Sequence, residues 1–332
     1  MENTKNIWAK NLIIVILLLG VFIPFALQFT SGEPLFDFTA FWIAGKLTFE
    51  GGDPYLQADW IPLYAHYDLG LADNLTFLYP KPILPLFIPF GMMDLHTASV
   101  LWLILTQASV FASAWILTNL WSKRNLAVVL IFVASIFILR SYLVTLVLGQ
   151  LGGFFLLMLT ITAVLWHRES WFFGGLVFSF LMLKPQLGLP IIGLVSIWFL
   201  TRRTWPFIYG VASGGILMLV IGWLIDPRWI QKFIQIGAGK VAATFGYHPT
   251  LWGVSGFLCS HESTCTLIFG GATSILILGG LLWLLFQRKY PLSAMQAISF
   301  SILAALLLTP YLWVYDQLLI LIPLSATIEL LQ

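Results

Sequence analysis

NLIIVILLLGVFIPFALQFT, residues 11–30, is a continuous apolar run, and it is followed directly by Ser31-Gly-Glu-Pro-Leu-Phe-Asp37. A helix needs about 20 such residues to cross a hydrocarbon core. The run is too long for the apolar part of a secretory leader and lacks a small-residue cleavage site, so it reads as a retained span. Apolar runs recur near 97–120, 126–148, 150–166, 171–184, 187–201, 205–225, 266–286, 293–309 and 316–332. With the first, that makes about ten spans. The whole chain bears out the pattern: of 332 residues, 60% are hydrophobic and 9% charged, against about 25% charged in a soluble domain. Only helices or closed barrels satisfy their backbone in lipid. Continuous runs rather than alternating ones exclude the barrel. The expected fold class is therefore an all-α polytopic membrane protein, one domain over residues 1–332.

Basic residues set the orientation. Lys5 and Lys10 precede the first span, and Lys123/Arg124, His167-Arg168, Arg202/Arg203 and Arg288/Lys289 separate later ones. Positive residues stay on the cytoplasmic side. All these clusters fall there if the N-terminus is cytoplasmic and residues 82–93 do not span. That stretch is short and, with Pro80, carries four prolines, so it is read as a helix lying in the outer leaflet. Residues 31–96 then form a first outer loop with its juxtamembrane helices, and 226–265 a second. The small basic clusters between spans give no nucleic-acid surface. The chain ends within an apolar run at Gln332, and further C-terminal spans are expected beyond it.

This topology gathers polar residues on the outer face. Asp37 has apolar neighbours, Leu35, Phe36 and Phe38, and partial desolvation raises a carboxylate's basicity. It is the candidate general base. Most of Asp53, Asp59, Asp68 and Asp73 are expected to be merely solvated. Arg140, deep in an apolar run, is costly there and marks a functional site by default. Lys184 stands beside Pro185, in a break that suits a cavity wall. Arg140, Lys184 and Lys81 are the candidate phosphate ligands, the guanidinium by a bidentate pair and the ammonium groups as point charges. Tyr79, Gln150, Gln186, His248, Tyr311, Trp313 and Asp316 are candidates to contact substrate, and Gln150 is expected to bond a sugar hydroxyl. Gly149-Gln150-Leu-Gly152-Gly153 lacks the Gly-Lys-Ser/Thr ending of a nucleotide loop. Cys259 and Cys265 frame a tight loop that reads as a disulfide, not as a zinc site.

The residues Asp37-Phe…Trp42…Gly51-Gly52-Asp53-Pro54-Tyr55, Leu78-Tyr79-Pro80-Lys81-Pro82, Leu148-Gly149-Gln150, Leu183-Lys184-Pro185 and Thr309-Pro310-Tyr311…Trp313…Tyr315-Asp316 together resemble glycosyltransferase family 87 of the GT-C superfamily. The resemblance implies a GT-C-type bundle in the plasma membrane. It also implies inverting transfer of a hexose, mannose first, from a polyprenyl-phosphate donor to a glycan or lipid acceptor outside the membrane. The family's catalytic acid in the first outer loop falls on Asp37. No cofactor is required on this reading, although a divalent cation could replace the cationic clamp. The alternative is a secondary transporter or lipid flippase, which also uses broken helices; the chain shows no internal repeat of that kind.

Overall fold

The computed structural model describes residues 35–67, 77–122, 125–286 and 292–331. The expected first span, Asp68 and Asp73, and the clusters Lys123/Arg124 and Arg288/Lys289 lie outside them. The described residues form helices and no strand, and the chain is an all-α polytopic membrane protein. In chain order the α-helices are α1 (Phe36–Phe49), α2 (Gln57–His66), α3 (Leu84–Gly91), α4 (Leu95–Leu120), α5 (Leu126–Ile138), α6 (Arg140–Leu148), α7 (Gly152–His167) and α8 (Trp171–Phe178). They continue with α9 (Pro185–Thr201), α10 (Trp205–Ile225), α11 (Trp229–Thr244), α12 (Leu251–Leu258), α13 (Ser263–Phe286), α14 (Ala294–Leu308) and α15 (Leu321–Leu331). Short 3₁₀ turns at Lys81–Ile83, Ser179–Leu183, Phe245–Tyr247 and Val314–Ile320 join some of them.

The stretches α4, α10, 263–284 and 314–331 are each long and apolar enough to cross a membrane, while α7, α9 and α14 are shorter apolar helices. The expected span 126–148 is two helices, bent by 52° where α5 meets α6. Leu139 makes the bend: its backbone is extended, and its N–H closes α5 by bonding Ser135 and Ile136 carbonyls. Arg140 thereby starts a helix and is exposed, instead of lying within one. The second break is the one the sequence predicts. A residue before proline is disfavoured in the α region, and Lys184 has φ −129° and ψ 80° between the 179–183 turn and α9.

Helix ends sort onto two faces. One gathers the start of α4, the α6–α7 turn, the α9 start and the end of α10. On the other, Trp121, His167, Ser293 and Glu329 border one cavity of about 520 Å³. The face opposite that cavity is roofed by α1 and α3, which cross at backbone contact: a Cβ at Gly45 meets the Phe87 carbonyl oxygen at 2.2 Å, and one at Gly91 meets the Lys46 nitrogen at 2.2 Å. Aromatic rings fill the rest. Phe41 stacks on Phe87 at 4.6 Å, and Phe38 stacks on Trp102 of α4 at 5.5 Å.

Gly91→Val should force α3 off α1, since backbone cannot give way as a side-chain tip can. The expected loss is about 1–3 kcal/mol, typical of overpacking, and is read as a lower unfolding temperature in detergent.

Candidate active site

Asp37 sits in the first turn of α1, where the unsatisfied N–H groups of a helix favour an anion. Its position relative to the bundle is set by the turn after α6. Gly149 has φ +71°, and a Cβ there would lie 2.5 Å from that of Phe38. Both the left-handed backbone and the lack of space demand glycine. Trp102 Nε1 donates to the Gly149 carbonyl at 2.7 Å and clamps the turn. The next residue, Gln150, is thereby delivered to Asp37: its Nε2 donates to Asp37 Oδ2 at 2.6 Å. Its other end accepts from the Tyr79 hydroxyl at 3.0 Å, which fixes the amide orientation. Gln150 is thus engaged at both ends and holds the carboxylate. Among the described residues, nothing donates to Asp37 Oδ1. Burial lifts the Asp37 pKa above the usual carboxylate range, against the opposing pull of the Gln150 bond and the Lys184 charge.

The second half of the site is a buried ion pair. Lys184 Nζ bonds Asp316 Oδ1, and both side chains are 2% exposed. Asp316 is held in turn by the Trp313 backbone N–H, 3.0 Å from Oδ2, while the ammonium lies 4.4 Å from the centre of the Tyr315 ring. Tyr79 joins the halves. Burial keeps its phenol protonated well past the usual range, and the charges of Asp316 and Asp37 act in the same direction. Alongside, the His248 ring meets Tyr311 edge-on at 4.6 Å and Trp313 at 4.8 Å. Its Nε2 is 3.1 Å from Thr244 Oγ1, and burial lowers its pKa despite the Leu312 carbonyl and Asp316.

Apolar grooves run from this polar head along both sides of α9. One, of about 620 Å³, lies between α9, α13 and α14 and begins at Gln186, Thr309 and Tyr311. The other, of about 580 Å³, begins at Pro80, Pro82 and Leu183 and is walled by α10 and by Trp229 and Phe233 of α11. Pro185 borders both.

Asp37, Tyr79, Gln150, Lys184, His248, Tyr311, Trp313 and Asp316 are therefore brought to one place, with Gln186 at a groove mouth. Arg140 is not joined to them by any contact among the described residues. It opens the helix whose other end leads to Gln150, and eight helical rises of 1.5 Å separate those ends by about 12 Å. Lys81 is 2% exposed and bonds Asp53 and Asp226, both at 2.7 Å. Lys232 bonds the same two carboxylates at 2.6 and 2.7 Å. Asp53, expected to be solvated, is thus structural, and Asp226 and Lys232 are additions that spacing gave no means of finding. Among the described residues, no three His, Cys, Asp or Glu side chains converge as a metal site. Cys259 and Cys265 are disulfide-bonded.

A half-buried carboxylate and a buried cation at the head of membrane grooves are the makings of an enzyme that works at the lipid boundary. The sequence model of glycosyltransferase family 87 matches residues 77–310, more than half of the chain, which therefore belongs to that family and is a membrane glycosyltransferase. Asp37 and Asp316 lie outside the matched stretch, Asp37 well before its start and Asp316 just beyond its end. Compared with curated proteins and with solved structures, the chain matches none.

Lys184→Met leaves the Asp316 carboxylate buried without its counter-charge, and should destabilise the bundle by about 3–5 kcal/mol. Lys184→Met with Asp316→Leu should recover most of that stability. Unfolding in detergent distinguishes the two, and equal losses would show that the pair is not the source.

Proposed function

We propose that this membrane glycosyltransferase moves a hexose, mannose first among candidates, from a polyprenyl-phosphate donor to an acceptor hydroxyl on the extracytoplasmic face. The single observation that carries the reading is the set of contacts joining Asp37, Gln150 and Tyr79 beside the Lys184–Asp316 pair, at the head of apolar grooves. A polyprenyl chain is apolar and long, its phosphate is anionic, and the sugar is polar. The grooves, the Lys184 ammonium and the ring of Tyr79, Tyr311, Trp313 and His248 answer to those three parts in that order.

In the proposed reaction the acceptor hydroxyl approaches Asp37 Oδ1, the oxygen to which no described residue donates. Gln150 holds the other oxygen, so the carboxylate is oriented before the acceptor binds. The acceptor oxygen forms its bond to the anomeric carbon from the face opposite the phosphate, and its proton passes to Asp37 as general base. The bond from the anomeric carbon to the phosphate oxygen breaks, and that oxygen leaves with the electron pair on polyprenyl phosphate. Lys184, already fixed by Asp316 and Tyr315, stabilises the developing charge without rearranging, which is where electrostatic catalysis gains most. One displacement inverts the anomeric centre.

The extracytoplasmic assignment rests on two supports. The basic clusters vote for it, and the disulfide Cys259–Cys265 belongs to an oxidising compartment. It closes the short loop after α12, on the same face as Asp37.

The test is sugar transfer from polyprenyl-phosphate-mannose in proteoliposomes. Asp37→Asn should lower kcat about 10²–10⁴-fold, the usual loss for a missing general base, with little change in folding. A base must be unprotonated to act. Since the Asp37 pKa lies above the ordinary range, kcat/KM should fall as pH drops through a midpoint higher than that of a solvated aspartate. Full activity in Asp37→Asn sinks its role as base; a silent wild type across several lipid-linked sugars sinks the donor assignment.

A further inference from the structure

Four charges outside the proposed chemistry form a closed ring: Asp53, Lys81, Asp226 and Lys232, alternating in sign, with four contacts of 2.6–2.7 Å. They come from four separate segments, the Gly51-Gly52 turn after α1, the 3₁₀ turn before α3, the residue ending α10, and α11. The ring is net neutral and graded in depth, from a Lys81 side chain 3% exposed to a Lys232 side chain 29% exposed. Burial pushes the Asp53 carboxyl up, but hydrogen bonds from Lys232 and Lys81 outweigh it and hold it below the ordinary range. Asp226 is held low in the same way by Lys232 and Lys81. Each ammonium bonds both carboxylates, so the four charges hold one another in place.

Its connections run toward Asp37. Tyr55 donates its backbone N–H to Asp53 Oδ1 at 3.0 Å, and the Lys81 ammonium lies 4.9 Å from the centre of the Tyr55 ring. The Tyr55 hydroxyl donates to the Tyr79 carbonyl at 2.8 Å. Lys81 itself is two residues beyond Tyr79, across Pro80. The short strap 79–81 is therefore tied at one end to the ring, and at the other presents the Tyr79 hydroxyl to Gln150 and so to Asp37. Pro80 and Pro82 on this strap, and Trp229 and Phe233 flanking Lys232, all line the same apolar groove.

We propose that the ring of Asp53, Lys81, Asp226 and Lys232 is the positioning element of the catalytic base: it pins the 79–81 strap to the α10–α11 junction so that Tyr79 and Gln150 hold Asp37 in its reactive orientation. The ring residues are positioning residues and touch neither sugar nor phosphate. The inference rests on the reading of Asp37 as base. Because α11 is both a ring partner and a groove wall, a lipid tail lodged against Trp229 and Phe233 bears on the strap that carries Tyr79. The seat of the donor and the orientation of the base are joined through one set of charges.

Among the described residues, the groups facing Asp37 are the Lys184 ammonium, which is paired with Asp316, and the phenols of Tyr64, Tyr79, Tyr311 and Tyr315. Of the helices packed on α1, α2 carries Asp59, Tyr64 and His66, α3 carries no titratable side chain, α4 has His96 in its first turn, and α6 has Arg140 at its far end and Tyr142. Loosening the strap should withdraw Tyr79 from Gln150 and weaken the Gln150 bond, which favours the ionised form of Asp37. Asp37 should then titrate at higher pH.

The experiment compares wild type with Asp226→Asn, Asp226→Glu and the rim variant Lys232→Gln, each purified and reconstituted. Two readouts are taken, transfer kinetics, and the Asp37 carboxyl titration by infrared difference spectroscopy against an Asp37→Asn background. Asp226→Asn should lower kcat about 10–100-fold, the scale of a misplacement by about 1 Å, with KM for the donor changed less than about threefold, and should move the Asp37 titration upward. Asp226→Glu should restore both, and Lys232→Gln should show the same shifts in smaller measure, which keeps the test open if Asp226→Asn does not fold. An Asp37 titration unmoved in folded Asp226→Asn or Lys232→Gln overturns the proposal. So does a loss confined to KM, which would make Lys81 a donor contact. A wild type with no transfer sinks the donor assignment, while the infrared titration still decides whether the ring holds the Asp37 carboxyl.

Discussion

A charge taken into the interior of a membrane bundle must bring its counter-charge with it, and the Lys184–Asp316 pair meets that requirement here. Both side chains are almost wholly enclosed, and in such surroundings an unpaired charge is far more costly than a paired one is favourable. The pair draws the start of α9 against the 3₁₀ turn 314–320, across 132 residues of sequence. Pro185 prevents the chain from being helical at Lys184, so the ammonium projects from a break instead of a helix flank. The same break opens the two grooves on either side of α9. Charge pairing, the helix break and the lipid-sized space are thus consequences of one local arrangement.

Asp37 is held by a different logic. It is only half-buried, and its setting is rigid because backbone packs on backbone. Gly45 and Gly91 let α1 and α3 touch, Gly149 lets the α6–α7 turn touch α1, and the Trp102 indole locks that turn through its carbonyl. Gln150 then has one place to go. Among the described residues this carboxylate is held at one oxygen only, the geometry that the proposed proton transfer from a bound hydroxyl calls for. Membership of glycosyltransferase family 87 supplies the class of reaction; the placement of Asp37 beside a fixed cation gives that class a physical basis in this chain.

The ring formed by Asp53, Lys81, Asp226 and Lys232 shows how a small charged count can be used. In a chain with 9% charged residues, four are engaged with one another on the face that carries Asp37. Such a network is directional where apolar packing is not. It specifies which part of the first loop meets which helix end, a registry that aromatic contacts alone leave loose.

Much of this was legible in the residues alone. Run length gave the helical membrane class, since backbone groups in lipid must be satisfied within a helix. Lys184-Pro185 announced a break, because proline restricts the residue before it, and two cysteines six apart announced a disulfide. The bend at Leu139 was not legible, for no proline or glycine marks it. Nor was the fate of Asp53, whose partners Lys81 and Lys232 lie 28 and 179 residues away. Gln150 was recognisable as a polar residue on the right face, but its role as the clamp of Asp37 was not. Local sequence determines which segments become helices and where they must stop, because those choices depend on neighbours a few residues away. Which carboxylate is paired, which is oriented and which is left to react depends on contacts across more than a hundred residues, and only the folded bundle decides them.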